Sequence, residues 1–157
     1  MKGTAHGLFW QRALGAALLA AAVTAGCREA EPEDEPASTA ESVPAAVILT
    51  PQDGDEVTGP SFTIQLAAEN IALRPAGVDE PNSGHLHLFI DREPTPAGQV
   101  IPNEPGIVHL GQAQTEYLLE GLEPGEHVVI AALADYLHVR FPDARTDTVR
   151  FRVRPAQ

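Results

Sequence analysis

One cysteine, Cys27, and one methionine, Met1, are all the sulfur in this chain. Both precede the part that reads as a folded domain, so that domain has no disulfide, no thiol nucleophile and no soft sulfur ligand. Any metal it binds must take imidazole, carboxylate or backbone oxygen. Such donors favour Zn(II), Cu(II) or Ni(II) over Cu(I) or an iron–sulfur cluster. Basic residues are scarce as well. Ten Lys and Arg stand against 22 Asp and Glu, for a formal net charge of −12. A surface that acidic repels phosphate backbones, which argues against nucleic acid as a partner. No Ser, Thr or Cys sits in a nucleophile elbow, and no glycine loop is built to cradle phosphate. An enzymatic role therefore has no motif behind it.

Lys2 and Arg12 form a positive leader, followed by an uncharged Ala/Leu run from Ala13 to Val23. Thr24-Ala25-Gly26-Cys27 closes it with small residues before the lone cysteine. This is the pattern of a signal peptide over residues 1–26 with a lipobox-like end, although Thr24 stands where Leu is usual. The run is shorter than the roughly 20 apolar residues of a spanning helix. Cys27 is thus the expected lipidation site, and the membrane an expected partner through its acyl chains. Arg28 in place of a retention-type Asp points to the periplasmic face of the outer membrane. Residues 27–44 carry Glu29, Glu31, Glu33, Asp34, Glu35 and Glu41 among Pro, Ala, Ser and Thr. With so little to bury, they read as a disordered acidic tether.

Residues 45–157 read as the domain. Ala46 to Thr50 is a first expected strand, stopped by Pro51 and the turn Gln52-Asp53-Gly54-Asp55. Phe62 to Ala67 alternates, with Phe62, Ile64 and Leu66 inward. After a loop from Ala72 to Gly84 comes a strand containing His85 and His87, then a second long loop from Arg92 to Gly106. Further strands are expected at Ile107–Leu110, Thr115–Leu119, His127–Ala134 and Thr146–Val153. About seven short strands with frequent turn signals and no convincing helix predict an all-β fold, an immunoglobulin-like antiparallel β-sandwich. The strand at His127 is apolar on both faces, which predicts a central position covered on both sides. A long loop folding over the outer face of its sheet, near the histidines, would supply that cover.

The sharpest chemical pattern is Gly84-His85-Leu86-His87-Leu88-Phe89-Ile90-Asp91. A period of two places Leu86, Leu88 and Ile90 on one face and His85, His87, Phe89 and Asp91 on the other. Two imidazoles at i and i+2, about 7 Å apart along the strand, can converge on one ion or small anion. His109, His127 and His138 are the other candidate metal ligands. Asp91, Glu116 and Asp135 are candidate oxygen ligands, or acceptors that fix the imidazole tautomers. The spacing matches no closed zinc-finger pattern, and histidines at strand ends also serve as hydrogen-bonding posts that order loops.

Several blocks together resemble an uncharacterised family of small secreted bacterial domains, a domain-of-unknown-function family often found as lipoproteins. They include Pro51-Gln52-Asp53-Gly54, Pro75-Ala76-Gly77-Val78 and Pro81-Asn82-Ser83-Gly84 running on into the histidine strand. They continue through His109-Leu110-Gly111-Gln112-Ala113-Gln114-Thr115-Glu116, Pro124-Gly125-Glu126-His127 and Asp135-Tyr136-Leu137-His138. The resemblance spans Val47 to Val153. It implies a secreted domain and places all five histidines in shared blocks, but it implies no activity. Two departures stand out: the family has three consecutive histidines where this chain has His85-Leu86-His87, and another histidine where it has Val139-Arg140.

The resulting expectation is a non-enzymatic envelope lipoprotein whose histidine cluster binds Cu(II) or Zn(II). The alternative is a protein–protein interaction module of the envelope, with the histidines forming a structural hydrogen-bond network.

Overall fold

The computed structural model describes residues 42–156. The expected signal peptide, Cys27 and most of the expected tether lie outside them. Nine strands run through the described chain: β1 (Ala45–Thr50), β2 (Glu56–Thr58), β3 (Ser61–Glu69), β4 (Ala72–Leu73), β5 (Ser83–Ile90), β6 (Ile107–Leu110), β7 (Glu116–Glu120), β8 (Gly125–Ala134) and β9 (Asp147–Arg154). Two sheets result. One has the order β1-β3-β7; the other has the order β2-β9-β8-β5-β4, with β6 also paired to β5. Among the described residues no helix is long and apolar enough to cross a membrane.

All seven expected strands form, within a residue or two of the expected ends. The two additional strands have three and two residues, too short for a two-residue period to register. Both pair in parallel, β2 with β9 and β4 with β5, whereas every other named strand pair is antiparallel. The fold is an immunoglobulin-like β-sandwich with these two parallel additions at the margins of the larger sheet.

Alternation builds the core between the sheets. Ile48, Ile64, Leu66 and Leu119 come from the small sheet, and Leu86, Leu88, Val129, Leu133 and Phe151 from the large one. Ile64 is fully buried, a burial that stabilises by roughly 1.5–3 kcal/mol relative to exposure. On β9, Val149, Phe151 and Val153 point inward while Arg150, Arg152 and Arg154 face solvent.

The outer face of the large sheet carries a second, smaller core. Phe89 of β5 and Ile130, Ala132 and Ala134 of β8 pack there with Ile101, which lies in the long loop before β6. That loop is tied to the β8–β9 connection: the Ile101 N–H donates to the His138 carbonyl and the Gly98 N–H to the Arg140 carbonyl, both at 2.9 Å. β8 is therefore covered on both faces, as its double apolar character predicts.

Candidate metal centre

The β5–β8 register decides which face each histidine takes. Leu86 pairs with Leu133 and Leu88 with Ala131, both on the inner face; His85 pairs with Ala134 and His87 with Ala132, both on the outer face. On the opposite edge of β5, His87 pairs with His109 of β6, so the two side chains rise from the same face. His138 arrives from the β8–β9 connection. It adopts a left-handed conformation, φ 67°, that histidine tolerates better than most residues do. Asp135 holds that turn. Its Oδ1 accepts the N–H groups of Leu137 at 2.8 Å and Val139 at 2.9 Å, and its carbonyl accepts the His138 N–H at 3.0 Å.

Four imidazoles meet as a result. His85, His87, His109 and His138 each offer a nitrogen, all within 4.8 Å of one another. The Nε2 atoms of His85 and His87 are 3.0 Å apart, and those of His109 and His138 are 3.1 Å apart. Nitrogens on a tetrahedral metal, at the usual bond length of 2.0–2.1 Å, lie about 3.3 Å apart. The two facing pairs therefore stand close to ligand geometry. The strand spacing alone suggests a wider gap between His85 and His87, but the rings lean together to a centroid distance of 4.9 Å.

Burial favours the neutral form of His85, His87 and His109. It pushes His87 down to about 3, with His85, His109 and His138 adding mutual repulsion. His85 falls to about 4, first through burial, then through repulsion from His109 and His138, with Asp135 opposing. His109 is lowered too, by burial and then by His138. At neutral pH these rings offer lone pairs, the form a metal requires.

A hydrogen-bond network alone does not close here. Within the His85–His87 pair one Nε2 donates and the other accepts. The accepting ring then carries its proton on Nδ1, and both Nδ1 atoms are buried without a partner. Such an orphan costs about 1–3 kcal/mol.

The remaining candidates lie elsewhere. His127 has the parity of Val129 and Leu133, so it sits on the inner face, stacked 5.9 Å from the Phe151 ring. Its Nδ1 is 2.7 Å from Asp91 Oδ2, and its Nε2 is 2.8 Å from the Glu123 carbonyl. Burial lowers its pKa, but these two partners prevail and the net shift is upward. Asp91 was expected on the His85 face. It lies just past the end of β5 with φ 54°, where its Oδ1 accepts the Val128 N–H at the start of β8. The left-handed turn breaks the alternation and swings the carboxylate away. Glu116 is exposed on β7, in the other sheet. Asp135 serves as the turn acceptor described above.

Gly111 is a contributor that the sequence reading did not single out. The His109 ring folds back over it, and a Cβ at that position would collide with ring carbon and nitrogen. The signal was present as a glycine two residues after a candidate ligand.

Comparison with known proteins supplies a family. A search of curated proteins finds no match. Among solved structures, the chain is similar to a fibronectin(III)-like module of Clostridium thermocellum CbhA, with a TM-score of 0.44 and 16% identity over 73% of this chain and 100% of that one. It is also similar to the PKD domain of human KIAA0319, with a TM-score of 0.39 and 13% identity over 76% of this chain and 90% of that one. Residues 64–154, more than half of the chain and including all five histidines of the domain, match one family model, and the chain belongs to that family, the domain of unknown function DUF4399.

Proposed function

We propose that this domain is a binding protein of the bacterial envelope whose site of His85, His87, His109 and His138 holds Cu(II) or Zn(II). The observation that carries the reading is the convergence of four imidazoles, two of them fully buried, on one point. An all-imidazole set suits these two ions, and the acidic surface raises the local concentration of cations. The hydrogen-bond network reading is weaker: the Nδ1 atoms of His85 and His87 lack partners on either reading, and only a bound ion would offset the cost of burying them. In the same proposal Cys27 carries the lipid anchor, and the acidic segment spaces the site from the membrane.

The test is the melting temperature of the full-length protein with EDTA, Zn(II) or Cu(II). A metal that binds only the folded state adds about 2.7 kcal/mol of stability at a hundredfold excess over its dissociation constant. The rise should vanish in the His85→Gln/His87→Gln double variant. No rise with either ion would refute the metal reading.

A further inference from the structure

A cavity of about 160 Å³ lies against one side of the histidine cluster. Its walls are His87, His109 and His138 together with Ile101, Pro102, Asn103 and Ile107. His85 does not line it and is fully buried. The cluster thus has a closed side at His85 and an accessible side bordered by the other three rings. At about 30 Å³ per water, the space suits a guest of a few heavy atoms.

Charge identifies the guest. All four imidazoles are neutral ligands, so a divalent ion among them keeps its full double charge in a partly buried site. Neither the cluster nor the cavity wall contributes a carboxylate. Asp135, whose charge bears on His85, has its Oδ1 occupied by two backbone N–H groups. A buried charge is expensive unless it is compensated, and the cheapest compensation is an anion drawn in from solvent. Ile101, Ile107 and Pro102 give the cavity apolar walls that strengthen such an attraction, and Asn103 offers an amide as a hydrogen-bond donor. Four imidazoles already complete a tetrahedral set, so a guest arriving on the cavity side is a fifth ligand, a coordination number to which such ions can expand.

Resting on the metal reading above, we propose that the bound ion takes a compact exogenous monoanion as a further ligand, entering through the cavity between Ile101, Asn103 and Ile107. Hydroxide and small linear or planar anions share the required size and charge. Guests of more than a few heavy atoms are excluded by the volume.

The test uses azide on the full-length protein loaded with Cu(II). Azide should produce a new charge-transfer absorption band and an altered electron paramagnetic resonance spectrum, both saturating, with copper retained on the protein through a desalting column. Asn103 is exposed at the cavity wall, so Asn103→Trp fills the entrance at little cost to the core. That variant should bind Cu(II) with unchanged affinity while its azide dissociation constant rises at least tenfold. Ile107→Phe, which adds bulk to another lining residue of the cavity, should do the same. Copper bound with no azide-induced spectral change, or azide affinity unaltered in both variants, overturns the inference and leaves the metal reading standing. Copper stripped by azide also overturns the inference alone. Failure to bind copper or zinc at all overturns both.

Discussion

His87 and His109 are direct cross-strand partners in the β5–β6 ladder, with rings stacked at 22° and centroids 4.9 Å apart. Neighbouring strands place paired side chains on one face, so this register alone puts an imidazole of β6 beside an imidazole of β5. His85 joins from two residues away on β5 and His138 from a turn set by Asp135. The centre is thus assembled by one ladder and one loop, and each contribution can be removed separately.

The buried pair on β5 is a burden to the metal-free fold. Replacing both partners of a buried polar contact by apolar groups of similar shape is near neutral or stabilising, because no orphan remains. His85→Leu/His87→Leu should therefore leave the metal-free melting temperature unchanged or raise it, while abolishing any stabilisation by Zn(II) or Cu(II). Calorimetric melts with and without metal check both halves. A drop of many degrees in the metal-free melt would show that the imidazoles hold the fold together.

Acid should unfold the metal-free protein early. Unfolded imidazoles take up a proton near pH 6.5, whereas His85 and His87 in the fold resist until about 4 and 3. Between those limits the unfolded state binds more protons, so stability falls as pH falls from about 6.5 towards 3. His127 runs the other way: with its folded pKa raised, its contribution is present below the unfolded value and fades as pH rises through the folded one. Two deeply buried rings outweigh one that is partly exposed. The melting temperature should fall by about 10 °C or more between pH 7 and pH 4.5. The His85→Leu/His87→Leu variant should show a much flatter profile.

The fold was legible in the sequence because strand alternation is local. Phe62, Ile64 and Leu66 on β3, or Val149, Phe151 and Val153 on β9, declare their inward face without help from the rest of the chain. The pairing of His85 with His87 is legible for the same reason. The other members of the site depend on register. Nothing local to β8 says which of its two apolar faces is inward; the pairing of Leu86 with Leu133 settles it and sends His127 to the core side. Nor does a local pattern reveal that Asp91 leaves the strand in a left-handed turn, or that His109 will stand opposite His87.

Gly111 is a positioning residue for His109. Its φ lies outside the left-handed region, so alanine is acceptable to the backbone there and only the collision with the ring matters. Gly111→Ala should move the His109 imidazole, which is exposed and free to shift at little cost to folding. The expected result is metal affinity lowered by about tenfold or more with a nearly unchanged metal-free melt. Isothermal titration with Zn(II) reads the first quantity and calorimetry the second.

Asp135 shapes the turn that presents His138. Asp135→Ala strands the N–H groups of Leu137 and Val139 and should cost about 1–2 kcal/mol, with a parallel loss of metal affinity. Asp135→Asn retains a carbonyl acceptor at the same position and should recover most of both. An Asn variant as impaired as the Ala variant would instead assign Asp135 an electrostatic role towards the ion.

His127 separates the two faces of the large sheet functionally. It stacks on Phe151 and bonds to Asp91 and Glu123, with the sheet itself between it and the four-histidine centre. His127→Gln should therefore leave metal affinity within twofold of the parent protein. It removes the ion pair with Asp91 and part of the ring packing, so the melt should fall by a few degrees, about 1 kcal/mol. The loss should be larger at pH 5 than at pH 8, since the raised pKa makes the charged form the one that Asp91 stabilises. Titration with Zn(II) alongside melts at the two pH values tests this separation. A large drop in affinity would mean that the ion draws on a ligand from beyond the outer face.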